Sequence, residues 1–357
     1  VAGDALKLPV RMVVVPRHAF ARWDDGTARI NIETTNQGRE FSDGYYLTRR
    51  ETTPEDIELL GWGKSLNTDE VLSELHAVAA AHRQSENKLE EALKHLEQAE
   101  KLAPQRTDLA IWRYKIMADI TGRRAEARQK VLDLLQSGKP LPSCVVTGGL
   151  TYLAADAAGT GDHAAERRFL LAAFAEAPKT GQPAVLQQLS FCHRALKDFR
   201  GAVRYMELAA ALMKPGDPSN ADVLYNLAIL QKNDKRLDDA LASIRAALKL
   251  NPESWNLLMI EAGYMVLNGQ REDGLKKFEV IQRPRGDLEF WEIMVTWFYA
   301  VSKQREKFYT QFEKALTLAR STHILEWIDQ DVDLDVYRNE PEFKALVEKH
   351  GVRLRGK

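Results

Sequence analysis

The sequence predicts a mainly α protein in which helix hairpins stack behind a small β-rich N-terminal section. Residues before about position 65 carry β-branched runs and turn signals, whereas helical periodicity begins near Thr68 and continues. A small residue recurs every 34 to 38 positions in the helical part, at Ala92, Ala127, Ala165, Ala202, Ala240 and Gly274. Breaks follow at similar intervals, at Pro104, Pro140, Pro178, Pro215, Pro252 and Pro284. This regularity favours a repeat array over a closed helix bundle.

Composition excludes several classes of function. The chain has 357 residues, of which 45% are hydrophobic and 28% charged, and its formal net charge is -1. No basic field attracts nucleic acid, and no apolar run approaches the roughly 18 residues of a membrane-spanning helix, so neither partner is expected. Two cysteines are too few for a disulfide framework. They favour a reducing compartment such as the cytoplasm, although a signal peptide would precede Val1.

The first section, residues 1–64, is expected to form strands. Residues 10–15 are dense in β-branched side chains, and residues 19–23 and 28–33 flank an Asp25-Gly26 turn. Because this dipeptide suits a tight turn, those two runs are predicted to pair antiparallel. Residues 45–47 are expected to form either one more short strand or a packing anchor.

Residues 221–254 form the clearest repeat unit. They read ADVLYNLAILQKNDKRLDDALASIRAALKLNPES, with large, large, small, small, small and proline positions at Leu224, Leu227, Ala228, Ala240, Ala247 and Pro252. This pattern resembles the tetratricopeptide repeat, in which small residues let two helices approach closely and proline ends the second. We expect six or seven such units over residues 65–326, wound as a right-handed superhelix, and a capping segment over residues 327–357.

The resemblance implies that the first helix of each hairpin lines a concave groove that binds a protein or peptide partner. The residues expected to face it are Gln187, Arg194, Tyr225, Asn226, Ile229 and Lys232. Asn226 matches an asparagine that grips a ligand backbone or carboxylate in some repeats, and the alternative is a bond to a neighbouring turn. The oligomeric state stays open.

The remaining aromatic, acidic and histidine residues of the helical part are predicted to have structural roles. The aromatic cluster at Trp291, Trp297, Phe298, Tyr299, Phe308, Tyr309, Phe312 and Trp327 is expected to be core, with a ligand pocket as the alternative. Asp329, Asp331, Asp333 and Asp335 alternate without the glycine and glutamate of an EF-hand loop, so neither a metal nor another cofactor is expected. His76, His82, His95 and His163 share no ligand spacing and are assigned to surfaces.

His18 precedes Glu33 by fifteen positions across the predicted hairpin, so paired strands could place them side by side. A carboxylate that orients an imidazole, while the second ring nitrogen activates a nucleophile, is the base-and-orienter half of a catalytic triad. The alternative is an exposed histidine and an unrelated glutamate.

The stretch LKLPVRMVVVPRHAFARWDDGTARINIETTNQG resembles the second half of a transglutaminase-like cysteine hydrolase core, of the papain-like superfamily. The resemblance implies that His18 is the catalytic base and Glu33 its orienter, with Asn31 as the competing assignment. It also places the nucleophilic cysteine before Leu8, where residues 1–7 contain none. Cys144 and Cys192 are expected to be small buried residues and not substitutes.

Two functions follow from these resemblances. In the first, the parent protein is a cysteine hydrolase or amide-transfer enzyme with appended repeats, and this chain lacks the nucleophile. In the second, the chain is a non-catalytic scaffold with a vestigial N-terminal domain.

Overall fold

The computed structural model describes residues 6–49, 53–318 and 331–350, which are mainly helical. The chain divides into two compact units, Val1–Cys192 and His193–Lys357. Each unit is described by itself below.

The first unit begins with a three-stranded antiparallel sheet. Strands β1 (Val10–Val15), β2 (His18–Asp24) and β3 (Arg29–Ile32) lie in the order β1-β2-β3. The β1-β2 turn consists of two residues, since Val15 pairs with His18, and Arg17 adopts a positive φ of 59° in it. Val13 and Val15 share one face of β1 and pack with Phe20 in the core, because side chains two positions apart lie on the same face of a strand, and Val14 between them is buried as well. The predicted strands and the predicted β2-β3 pairing are confirmed.

Two short helices, which the sequence analysis missed, follow the sheet. They are α1 (Asp43–Arg49) and α2 (Pro54–Leu60). Ser42 begins α1 by accepting a hydrogen bond from the backbone N–H of Tyr45, and Asp43 adds a negative charge to its first turn. The strand alternative at residues 45–47 is therefore wrong. The packing-anchor alternative is confirmed, because Tyr46 is buried against Val13, Val15 and Phe20.

Helix hairpins build the rest of the first unit. Its helices are α3 (Thr68–Ser85), α4 (Leu89–Leu102), α5 (Thr107–Asp119), α6 (Arg124–Leu135), α7 (Ser143–Gly159) and α8 (His163–Glu176). They pack as the pairs α3/α4, α5/α6 and α7/α8. Ala92 and Ala127 are fully buried, as the repeat pattern requires, because a larger side chain there would separate the paired helices. The next helix, α9 (Gln182–Ala195), contains the boundary between the units.

The second unit continues the pattern. Its helices are α10 (Phe199–Ala211), α11 (Asn220–Asn233), α12 (Leu237–Leu250), α13 (Trp255–Leu267), α14 (Arg271–Glu279), α15 (Leu288–Val301) and α16 (Arg305–Leu318). Within it α11/α12, α13/α14 and α15/α16 pack as pairs. Ala240 is fully buried between its helices, and a Cβ on Gly274 would lie 2.6 Å from the carbonyl oxygen of Ala262. The recurring small positions are thus sites of close helix contact.

The described C-terminal segment covers the last hairpin. It comprises a 3₁₀ turn (Val332–Leu334), α17 (Asp335–Arg338) and α18 (Pro341–Lys349). Tyr337 stacks on Phe308 with ring centroids 4.0 Å apart, and Phe343 stacks on Phe312 at 4.7 Å. Trp327, Asp329 and the predicted boundary after residue 326 lie outside the described residues.

The aromatic residues of the last hairpin form core as expected. Five of them are buried, namely Trp297, Phe298, Phe308, Tyr309 and Phe312. Trp291 and Tyr299 are half-buried and pack against the core cluster. Among the described helices, none combines the length and the apolar character that crossing a bilayer would need.

Candidate functional site

His18 and Glu33 meet at one end of the N-terminal sheet. His18 is the first residue of β2, and Glu33 directly follows β3, which pairs with β2. Their side chains are joined by a hydrogen bond of 2.7 Å between His18 Nε2 and Glu33 Oε2. The structure thus brings together the two residues that the sequence singled out as base and orienter.

Glu33 is held as a carboxylate. Burial by itself raises the pKa of its carboxyl group, but hydrogen bonds from Thr35 and His18 outweigh burial and lower the pKa to about 2. Thr35 donates twice to Oε1, from its backbone N–H at 2.9 Å and from its hydroxyl at 2.6 Å. A carboxylate only accepts hydrogen bonds, so His18 Nε2 must be the donor. In the neutral ring, Nδ1 is then the nitrogen without a proton.

An aromatic wall surrounds this pair. His18 stacks on Tyr46 at a centroid distance of 5.8 Å, and Tyr46 stacks on Phe20 at 3.9 Å. The Tyr46 hydroxyl donates to Glu33 Oε2 at 3.2 Å, while burial and then the Glu33 charge raise the pKa of Tyr46 to about 12. Beside the wall lies a cavity of about 170 Å³, lined by His18, Glu33, Thr35, Asn36, Phe41, Tyr45 and Tyr46.

Asn31, the competing orienter, belongs to a different polar cluster. Its Oδ1 accepts a hydrogen bond of 2.8 Å from Arg22 Nε, and its Nδ2 donates to Asp43 Oδ1 at 2.7 Å. Arg22 also donates to the carbonyl oxygen of Gly63 and to Asp43. We call Arg22, Asn31 and Asp43 the Arg22 network. Contact with His18 is made by Glu33 and not by Asn31.

Cys192 is buried as expected, whereas Cys144 is only half-buried. Burial raises the pKa of Cys144 and of Cys192 to about 12 in each case, and the Asp56 charge adds to the effect at Cys144. Cys144 Sγ lies 3.7 Å from Asp56 Oδ1, and Cys192 Sγ lies 3.4 Å from the carbonyl oxygen of His163. A thiol with so high a pKa is a poor nucleophile at neutral pH.

The first helix of the clearest repeat presents a stripe of half-buried side chains. Four predicted groove residues of α11 are half-buried, namely Tyr225, Asn226, Ile229 and Lys232. The spacing of 225, 229 and 232 places those three on one helix face. The other two predicted groove residues lie on α9, where Gln187 is half-buried and Arg194 exposed. Their joint role as a groove stays a prediction.

The stripe on α11 binds a carboxylate of the same chain. Asp333 Oδ2 accepts hydrogen bonds from Lys232 Nζ at 2.7 Å and from Trp297 Nε1 at 2.8 Å. The sequence analysis assigned the alternating aspartates to a capping segment without a metal and Trp297 to the core, so it did not predict this contact. Nothing in a local pattern connects Asp333 with Lys232, because the two are 101 positions apart.

Asp331 lies close to the same stripe. Burial raises the pKa of Tyr225, and the negative charge of Asp331 contributes in the same direction. Asp331 also caps the 3₁₀ turn by accepting from the backbone N–H of Asp333 at 3.0 Å. We call residues 331–335 the acidic segment.

A histidine pair was also missed. His76 Nδ1 and His95 Nδ1 lie 3.0 Å apart and both residues are half-buried, so their assignment to the surface was wrong. They come from the facing helices α3 and α4, which is why no sequence spacing reveals them. In the part of the chain that the structure describes, no group of three or more His, Cys, Asp or Glu side chains could hold a metal ion.

Comparison with known proteins agrees with the repeat assignment. Residues 221–254 match the family model described as tetratricopeptide repeat. No curated protein sequence matches the chain.

Several solved structures are similar to this chain. A tetratricopeptide repeat protein from Parabacteroides merdae has a TM-score of 0.49 and 13% identity over 78% of this chain and 98% of its own. The C-terminal part of a TPR repeat-containing protein from Cytophaga hutchinsonii has a TM-score of 0.47 and 15% identity over 68% and 95%. PilF of Pseudomonas aeruginosa has a TM-score of 0.41 and 11% identity over 79% and 100%. At these identities and scores, the likeness does not extend to function.

Proposed function

We propose that this repeat protein binds a peptide segment of a protein partner on the first helices of its hairpins. The observation that carries the proposal is the stripe on α11, inside the matched repeat, where an aromatic ring, an amide and an ammonium group lie half-buried on adjoining turns. Repeat arrays stack such helices side by side, which builds an extended surface suited to a peptide. The division into residues 1–64, 65–326 and 327–357 is part of this proposal.

The side chains of α11 differ in burial and polarity in a way that fits this role. Leu227 and Ala228 are buried and pack within the hairpin cores. Asn226 and Lys232 instead offer polar groups that can bind peptide carbonyls or carboxylates.

A peptide-selection experiment tests this function. Peptides selected from a random display library against the full chain should lose about tenfold in affinity or more when Asn226→Ala removes the amide that binds their backbone. Isothermal titration calorimetry measures the loss.

The matched control is Gln129→Ala, which removes an exposed amide on the second helix α6 that bonds Asp133 at 2.8 Å. Selected peptides should bind this variant as tightly as the wild type. The proposal would be contradicted if both variants lost affinity equally, or if Asn226→Ala bound the selected peptides as tightly as the wild type.

A second function, the hydrolase half-site, is favoured by one specific observation. The hydrogen bond of 2.7 Å between His18 and an ionised Glu33 beside a cavity is the arrangement that a base and its orienter need. The likeness to transglutaminase-like cysteine hydrolases supports it through the residues around His18 and Glu33. This candidate also needs a nucleophile, which neither Cys144 nor Cys192 supplies in this geometry.

Glu33→Gln tests the electrostatic basis of the half-site. The folded-state pKa of Glu33 is depressed from 4.5 to about 2, so its stabilising effect is complete above pH 4.5 and is lost as the pH falls through about 2. Urea unfolding should therefore show wild type more stable than the variant at neutral pH, with the difference shrinking toward pH 2.

Ring ¹⁵N chemical shifts of His18 supply the second readout. The neutral ring should carry its proton on Nε2 in the wild type and lose that preference in Glu33→Gln. A neutral wild-type ring protonated on Nδ1, or a stability difference that does not change with pH, would exclude the half-site.

A further inference from the structure

The proposed peptide surface of the second unit is already occupied by the chain's own acidic segment. Resting on the proposed function, we infer that a partner's acidic segment binds to Lys232 and Trp297 by displacing the Asp333 carboxylate. The ligand is thus a peptide with an acidic side chain, and Asp333 is a competing occupant in the same molecule.

The geometry is that of a carboxylate-binding site. Two donors on different helices, Lys232 Nζ of α11 and Trp297 Nε1 of α15, converge on one oxygen, Asp333 Oδ2. The helix between them in sequence, α13, contributes Gly263, whose missing side chain leaves room for the Trp297 ring. The first helices of three successive hairpins therefore build this site together.

Burial makes the contact selective for negative charge. The side chains of Lys232 and Asp333 are only 11% and 15% exposed, and Trp297 is 4% exposed. At such a site an ammonium group and an indole N–H both lack an acceptor if the carboxylate leaves, so an apolar or basic side chain cannot replace Asp333. A second carboxylate can.

The Asp333 contact is separable from the anchoring of its segment. Leu334 and Tyr337 belong to the apolar cluster that contains Phe308 and Phe343, whereas Lys232 lies on α11 outside that cluster. The anchor can therefore stay in place while the carboxylate is exchanged. Because the competing Asp333 is tethered, it acts at a high effective concentration and must weaken binding of any acidic peptide from solution.

The test uses the full chain and a synthetic probe. The probe is an acetylated, amidated and fluorescein-labelled peptide with the sequence of residues 331–340, in which serine replaces Leu334 and Tyr337 so that only acidic groups are compared. A second peptide, the asparagine peptide, carries asparagine in place of Asp331, Asp333 and Asp335 and glutamine in place of Glu340, so that it keeps no carboxylate. Fluorescence anisotropy measures the affinity of both for the wild type and its variants.

Asp333→Ala should bind the acidic peptide at least tenfold more tightly than the wild type, because the tethered competitor is gone. Lys232→Met added to Asp333→Ala should abolish the gain, and the asparagine peptide should not bind. Asp335→Ala is the matched control, since it removes an exposed aspartate of the same segment that pairs with Arg338. It should behave as wild type.

Equal affinities of Asp333→Ala and wild type for the acidic peptide would overturn the inference and leave the acidic segment as a structural cap. The proposed function would still stand if display-selected peptides bound in an Asn226-dependent way, so the two failures are distinguishable. If Asp333→Ala unfolds at the assay temperature, Asp333→Asn keeps the side-chain volume and gives the same test. Binding of the asparagine peptide as tightly as the acidic one would also overturn the inference.

Discussion

Arg22→Met is expected to destabilise the N-terminal sheet by about 3 kcal/mol, because it leaves the partners of a buried guanidinium unsatisfied. The Arg22 side chain is 3% exposed and donates to Asn31, Asp43 and the carbonyl oxygen of Gly63. Methionine fills much of the volume but offers no donor. Hydrogen exchange of the β2 and β3 backbone amides measures the loss, since it reports the opening of this sheet separately from the helices.

Arg29→Met is the matched control. Arg29 lies near the same carboxylate, with Nη1 3.9 Å from Asp43 Oδ2, but its side chain is 58% exposed. Exposed ion pairs contribute about 0 to 1 kcal/mol, so this variant should exchange nearly as slowly as the wild type. Similar acceleration in both variants would mean that the Arg22 network does not hold the sheet together.

Gly263→Ala is expected to cost about 3 kcal/mol, because it inserts a methyl group where another side chain already lies. A Cβ on Gly263 would stand 2.2 Å from Cη2 and 2.4 Å from Cζ3 of Trp297. The indole would have to move, and its hydrogen bond to Asp333 would be lost with it. We expect a lower melting temperature and a shifted indole N–H resonance of Trp297, the latter assigned with Trp297→Phe.

Gly148→Ala in α7 controls for the general effect of replacing a helical glycine. There the nearest atom to a new Cβ is Ile111 Cγ2 at 3.5 Å, which is ordinary contact. Alanine favours helix by about 1 kcal/mol over glycine, so this variant should be as stable as the wild type or more stable. A Gly263→Ala protein that matches it would show that the Trp297 ring is not confined by α13.

The parts of the fold that were predicted correctly from the sequence are mostly those that depend on local residue patterns. The strand at Val10–Val15 is rich in β-branched residues, and the small residues Ala92, Ala127 and Ala240 recur because each hairpin needs close approach at the same place. Helix α1 was missed because Tyr45 and Tyr46 are typical of strands, whereas its start depends on the capping by Ser42. A short element is decided by such single contacts and not by a period.

For a similar reason, the sequence predicted some contacts of the candidate sites and missed others. The spacing of His18 and Glu33 across one hairpin was enough to suggest contact, yet it could not separate Glu33 from Asn31, since residues two positions apart on an extended chain point to the same side. The hydrogen bonds settle which of them contacts His18: Asn31 binds Arg22, and Glu33 binds His18. The pairing of His76 with His95 joins two helices and left no trace in the spacing.

The sequence by itself determined the repeat period, the strand pairing and the identity of the polar residues on α11. These features depend on residues that are close together in the sequence, within a single hairpin. Only the tertiary structure decided that Lys232 and Trp297 hold Asp333, and that Gly263 makes room for the ring. A hydrogen bond between groups 101 positions apart exists only after hairpins have packed and have brought donor and acceptor within reach. The periodic spacing of hydrophobic residues directs that packing. Which polar groups then become hydrogen-bond partners depends on their distance in the packed structure, which the spacing along the chain does not show.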